Sequence, residues 1–237
     1  MSEETANAIE QISKDTNTKV LIITGEGRGF SSGADVRQEL AKAAEGASET
    51  SFQRMVQGKP NISTIALLLR RLDKPVIGAI NGVAIGAGFS IALACDLRIA
   101  SEKAKFSMAF ILRGIIPDCG GTFFLPKLIG SAKACELSFT GDMIDAKEAE
   151  RLGLLNKVVP HQELMKATEE LANKLLKRPP IALKYAKRAI YKGLAEVDLP
   201  SHFDYEVALN RICADTEDFK EGVTSFLEKR EAIFKGR

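Results

Sequence analysis

Two stretches of this chain share one plan: a short β-branched run, a glycine-rich loop, then residues suited to a helix. The first reads KVLIITG, EGRGFSSGAD, VRQELAKAAE; the second reads KPVIGAI, NGVAIGAG, FSIALAC. A buried strand closed by glycine and followed by a helix is the building unit of an α/β fold. The second copy lies within Val76–Cys95, which carries no charge. An uncharged run of about 20 residues is long enough to cross a bilayer. Here Asn81, Ser90 and the glycines at 78, 82, 86 and 88 interrupt it, and Pro75 precedes it. A strand, a loop and a helix buried in a protein core fit this pattern better, so no membrane partner is expected.

The same alternation continues. An amphipathic helix is expected over residues 2–15, with Ile9 and Ile12 inward, and NISTIALLLRRL is a second helix that stops before Lys74-Pro75. DLRIAS and AKFSM read as strands, and residues 45–62 as a polar surface excursion. From about residue 131 helices dominate: SAKACELSFTG, DAKEAERLG with the capping-box spacing Asp145…Glu148, HQELMKATEELANKLLKR, PPIALKYAKRAIYKGL and the amphipathic tail DFKEGVTSFLEKREAIF. This predicts an α/β core over 1–172 and a helical region over 173–237.

Composition narrows the chemistry. Lys and Arg total 33 against 31 Asp and Glu, which gives no electrostatic case for nucleic acid. Cys95, Cys119, Cys135 and Cys213 form no CxxC pair and no metal spacing, so free thiols in a reducing compartment are expected and no metal site. That compartment is the cytoplasm, or an organelle matrix for a processed eukaryotic form. His161 and His202 sit in polar flanks of helices, no GxSxG elbow is present, and neither glycine loop is a GxGxxG or a Walker motif. The loops Gly29–Asp35 and Gly82–Gly88 are tight βα turns at the least. They also put backbone N–H groups at helix starts, where an oxyanion can bind. Lys184, Lys187, Arg188 and Lys192 read as a solvated basic face.

In GIIPDCGGTFFLP, Asp118 stands between a proline and two glycines with apolar neighbours. It is either a turn residue or an acid/base whose pKa is raised by Phe110, Ile115, Ile116 and Phe123.

The segments GRGFSSGADV, KPVIGAINGVAIGAGFSIALACDLRIAS, AKFSM…GIIPDCGGTFFLPKLIG, TGDMIDAKEAERLGLLNKVV and FLEKREAIF resemble the crotonase (enoyl-CoA hydratase/isomerase) family in order and spacing, over about residues 18–237. The resemblance implies a spiral of ββα units with a C-terminal helical trimerisation region, a homotrimer or dimer of trimers, an acyl-CoA substrate and no cofactor beyond its CoA moiety. It places the thioester carbonyl between the backbone N–H groups of Ala34 and Ala87, with Gly33, Ala34, Asp35, Val36, Arg37 and Ala87 along the CoA. Lys229 would approach from a neighbouring subunit. A β-hairpin ahead of the first helix is also usual in the family, whereas this sequence starts at that helix.

Family hydratases carry two glutamates at the positions of Ser90 and Phe110, and adding water to a conjugated enoyl thioester needs such a pair. Shifting a double bond needs one base. A carboxylate at the place of Asp118 is implied for the isomerase branches, above all the ring-epoxyphenylacetyl-CoA isomerases. The expected activity is therefore an enoyl-CoA isomerase with Asp118 as acid/base. The alternatives are a hydratase or another crotonase-type reaction, and a non-catalytic acyl-CoA binder.

Overall fold

The computed structural model describes residues 2–33, 57 and 61–237. Ala34, Asp35, Val36 and Arg37, the helix expected over VRQELAKAAE and most of the 45–62 stretch lie outside them. The elements are α1 (Ser2–Lys14), β1 (Leu21–Thr24), β2 (Gly29–Ser31), α2 (Ile62–Arg71), β3 (Val76–Ile80), β4 (Val83–Ile85), α3 (Ala87–Ala94), β5 (Leu97–Ser101) and β6 (Lys105–Ser107). They continue as α4 (Gly121–Thr140), β7 (Met143–Asp145), α5 (Ala146–Arg151), β8 (Lys157–Val159), α6 (Leu164–Leu176), α7 (Pro180–Gly193), α8 (Leu199–Ala214) and α9 (Glu217–Glu228).

The strands form two four-stranded sheets, ordered β1-β3-β5-β8 and β2-β4-β6-β7. Each ββα unit thus gives one strand to each sheet, and the next unit stacks beside it. β3/β5, β5/β8, β2/β4 and β4/β6 are all parallel, and β7 runs antiparallel to β6. Parallel neighbours need a long crossover between them; here the second strand and the helix supply it. The chain therefore coils, advancing by one strand spacing, about 4.8 Å, per turn.

Sequence accounts for the elements nearest the coil axis. Every residue of β3 is buried, and so is every residue of α3, which is apolar on all sides and accordingly lies in the core. Three places differ from expectation. β2 and β4 are short strands inside what reads as glycine loop; three residues with glycine neighbours show no period, and pairing with the adjacent coil turn makes them strands. β7, β8 and α8 are likewise absent from the sequence reading, because none carries a clean apolar alternation or stripe. At α5 only half of the expected capping box forms: Glu148 N–H donates to Asp145 Oδ1 at 2.8 Å, while the Glu148 carboxylate turns to Arg151. α4 is two helices that meet at Gly130, whose φ 76° and ψ 161° are non-helical, so SAKACELSFTG forms a helix of its own as expected.

The chain divides into two compact units: residues 1–15, 22–72 and 76–168, and residues 16–21, 73–75 and 169–237. Within the second, the basic stretch of α7 is more than a solvated face. Lys187 is buried and donates to Lys74 O at 3.0 Å, and Arg188 and Lys184 both pair with Asp73, at 2.8 and 2.9 Å. Burial raises the Asp73 pKa, but the hydrogen bonds from Arg188 and Lys184 outweigh it and hold the carboxyl below its usual range. Among the described residues no helix is long and apolar enough to cross a membrane.

The coil turns meet at glycine. A Cβ at Gly88 would stand 2.4 Å from Ser31 O, and one at Gly82 would stand 2.1 Å from Arg28 O. Gly88→Ala is expected to destabilise the protein by at least about 2 kcal/mol, since the clash is with backbone that cannot swing away. Gly27→Ala, at φ 69° with open space around it, meets only the left-handed backbone penalty, about 1 kcal/mol. Thermal or denaturant unfolding of the two variants checks the ranking; equal losses would contradict it.

Candidate active site

The site is built along α3. Gly86, at φ 55°, precedes the helix, and its N–H donates to Ser107 O at 2.9 Å. The first i→i−4 bond runs from Ser90 N to Gly86 O at 3.1 Å, so the N–H groups of Ala87, Gly88 and Phe89 come before it. They hold the positive end of the helix dipole. The loop after β2 approaches this end closely: a Cβ at Gly33 would lie 2.9 Å from Ile85 O and 3.4 Å from Ala87 N. Gly33 itself takes φ 84° and donates its N–H to Ser31 Oγ at 3.2 Å. The connection between β1 and β2 is held by Asn81, whose Oδ1 accepts from Gly25 N and whose Nδ2 donates to Gly27 O and Gly29 O, at 3.1, 3.1 and 3.3 Å.

One turn further along α3, Ser90 is fully buried, and its Oγ has no hydrogen-bond partner among the described residues. It abuts the start of α4: a Cβ at Gly121 would lie 2.8 Å from Ser90 Oγ and 3.3 Å from Pro117 Cβ. Asp118 sits between those two residues in the chain. Asp118 O accepts from Gly121 N at 2.8 Å, with Cys119 at φ 52° and Gly120 at φ 83°, the pattern of a type I′ turn. Phe110 is buried, with its ring over Gly86 at 3.8 Å from where a Cβ would be.

The structure thus brings together Gly33, Ala87, Ser90, Phe110 and the Asp118 turn. One expectation fails. Asp118 is exposed in the single chain, and so are Ile115, Ile116 and Phe123, at 44, 75 and 56%. Of the expected apolar neighbours only Phe110 is buried, because the segment from Ile111 to Ile116 lies on the surface. Lys229 is the exposed, left-handed residue that ends α9, at φ 55°. His161 has a structural partner, Ser101 Oγ at 3.0 Å from its Nδ1, and His202 Nε2 lies 3.3 Å from Glu206. Sequence reading passed over Cys119 and Ser63, whose Sγ and Oγ lie 3.4 Å apart. A cysteine directly before two glycines in a tight turn is a signal that could have marked Cys119; nothing local marks Ser63.

The whole chain, residues 1–237, matches the enoyl-CoA hydratase/isomerase family. The chain belongs to that family. It is similar to a crotonyl-CoA hydratase of Syntrophomonas wolfei, 38% identical over 98% of this chain and 86% of the relative. It is also similar to a 1,2-epoxyphenylacetyl-CoA isomerase of Escherichia coli, 35% identical over 100% and 88%. The crystal structure of an enoyl-CoA hydratase from Bacillus anthracis superposes with a TM-score of 0.88 at 38% identity, covering 99% of this chain and 88% of that one. The coil of ββα units is the crotonase fold, and the chain is an enoyl-CoA hydratase/isomerase family enzyme.

In this crotonase, Ser90→Ala removes a buried hydroxyl that has no partner among the described residues. Relief of that desolvation, about 1 kcal/mol, should raise Tm by about 2–4 °C. Calorimetry checks this; a fall in Tm would mean that the Oγ has a partner in solution, such as a bound water.

Proposed function

We propose that this enzyme is an acyl-CoA isomerase that moves a double bond of an enoyl-CoA thioester, with Asp118 as the acid/base. One observation carries the reading. The start of α4, directly after the Asp118 turn, abuts Ser90, which stands about one helical turn along α3 from Ala87, whereas Ser90 and Phe110, at the two glutamate positions the family resemblance implies, carry no ionisable group. A helical turn rises about 5.4 Å. The three C–C bonds from a thioester carbonyl carbon to C4, each about 1.5 Å, span a similar length. A carbonyl oxygen accepting from Ala87 N–H, and from Ala34 N–H as the family resemblance implies, would leave C2 and C4 within reach of a carboxylate on that turn.

Asp118 then takes a proton from C2 of a 3-enoyl-CoA, the electrons move into a dienolate whose oxygen lies against the backbone donors, and Asp118 returns the proton at C4. The bond between C3 and C4 becomes one between C2 and C3, and nothing is added or lost. General acid/base catalysis of this kind contributes about 10²–10⁴ in rate, and one oxyanion donor about 2.7–4 kcal/mol. Hydration is the second reading, favoured by the hydratase names among relatives that are 38% identical. It needs one group to deprotonate water and another to protonate carbon, and Ser90 with Phe110 provides neither. A non-catalytic acyl-CoA binder is the third reading, and the carboxylate on the turn argues against it. No cofactor beyond the CoA moiety is needed. Gly33 to Arg37 would lie along the CoA, with Lys229 contributed by a neighbouring copy. An open apolar groove of about 440 Å³ lined by Phe219, Val223, Phe226, Leu227 and Phe234 supports burial of this helical face in an oligomer.

Asp118→Asn keeps size and polarity but removes the base. kcat on a 3-enoyl-CoA should fall at least about 10²-fold with little change in KM; near-normal turnover would sink the assignment. In D₂O the unmodified enzyme should form 2-enoyl-CoA with deuterium on carbon and little 3-hydroxyacyl-CoA. Rapid formation of the hydroxyacyl product, read by mass spectrometry, would favour the hydratase reading.

A further inference from the structure

Cys119 takes a backbone conformation for which its residue type is ill suited. Both central positions of a type I′ turn have positive φ and are dominated by Gly, Asn and Asp, yet the first of them here is a cysteine at φ 52°. A side chain in that region is disfavoured by about 1–2 kcal/mol, and such strain persists only where the surroundings over-determine it. The surroundings do so here. Cys119 is 4% exposed, and its Sγ lies 3.4 Å from Ser63 Oγ on α2.

That helix is a firm platform. Asn61 and Thr64 cap it reciprocally, Thr64 N–H to Asn61 Oδ1 at 3.0 Å and Asn61 N–H to Thr64 Oγ1 at 3.1 Å, which fixes the turn that carries Ser63. A second contact runs from α2 to the start of α4, with the Arg70 guanidinium 4.4 Å from the centre of the Phe124 ring. Burial pushes the Cys119 thiol pKa far up; the Ser63 hydroxyl lowers it, and the adjacent Asp118 carboxylate raises it through a hydrogen bond and its charge. The group is therefore a neutral S–H, a donor set between the Ser63 hydroxyl and the carboxylate, not a nucleophile.

We propose that Cys119 is a positioning residue: its thiol, anchored on Ser63, holds the turn that carries Asp118 and orients the carboxylate. The proposal rests on the reading of Asp118 as the base. It explains why a residue that strains the turn stands where glycine would relax it.

The test compares Cys119→Gly, Cys119→Ser and Asp118→Asn in steady-state isomerisation of a short 3-enoyl-CoA, with binding of the matching saturated acyl-CoA measured in parallel. Cys119→Gly suits the backbone and removes the anchor, so kcat should fall at least tenfold while KM and saturated acyl-CoA affinity stay within about twofold. Cys119→Ser keeps a donor in place and should recover most of kcat. Ser63→Ala, which leaves the turn residue untouched, should lower kcat in the same direction and serves if the glycine variant fails to fold. Full kcat in Cys119→Gly, or in Ser63→Ala where that variant must stand in for it, overturns the proposal. So does equal loss in the glycine and serine variants. Normal turnover in Asp118→Asn would instead remove the base itself, and the proposal with it. An inactive Asp118→Asn beside a fully active Cys119→Gly overturns the positioning role alone.

Discussion

Backbones of successive coil turns lie closer together than a Cβ permits, and the site depends on that approach. At Gly88 and Gly82 an added methyl group would overlap carbonyl oxygens of the preceding turn, and at Gly33 it would overlap Ile85 O. Parallel strand pairing sets the spacing between turns, and glycine lets the connecting loops close the remaining distance. Asn81 then locks the connection between β1 and β2 with its three hydrogen bonds to backbone. The result is a helix start whose first N–H groups precede the helix's own i→i−4 bonds, held against a second backbone loop at Gly33. Oxyanion stabilisation of this preorganised kind is usually a large share of catalysis in acyl chemistry.

The coil also decides how far apart the chemical groups stand. α3 meets the loop after β2 at its first residue and, one helical turn on at Ser90, the start of α4 that follows the Asp118 turn. A rigid, wholly buried helix is a good ruler: α3 cannot tilt without opening a packed core. Changing the reaction then requires changing only what stands at marks along the ruler. Under the proposed reading, carboxylates at positions 90 and 110 would serve addition of water, and a serine and a phenylalanine there would leave proton handling to Asp118. The exposure of Asp118 in the single chain means that any dry environment for it comes from bound substrate or from a neighbouring copy, not from Ile115, Ile116 and Phe123.

Much of this was legible in the sequence, for identifiable reasons. β3 and α3 announce themselves through an uncharged run punctuated by glycine, and the loop Gly82–Gly88 marks the start of α3. Asp118 stood out through its Pro/Gly and apolar context, whereas Ser90 and Phe110 became meaningful through family resemblance alone. β2, β4, β7 and β8 were not legible, since three-residue strands have no room for a period and owe their existence to pairing across coil turns. The burial of Lys187 and the pairing of Lys184 and Arg188 with Asp73 were hidden as well, because partners more than 100 residues apart leave no local trace. The Ser63 contact with Cys119 belongs to the same class, with 56 residues between its members.

The central claim is that the start of α3 and the loop at Gly33 together polarise a thioester carbonyl. Infrared difference spectroscopy of a saturated acyl-CoA carrying a ¹³C-labelled thioester carbonyl tests it without requiring turnover. The account predicts that the bound carbonyl band lies at lower frequency than in water, because fixed N–H donors at a helix start polarise it more strongly than solvent does. A bound band at or above the aqueous frequency would contradict it.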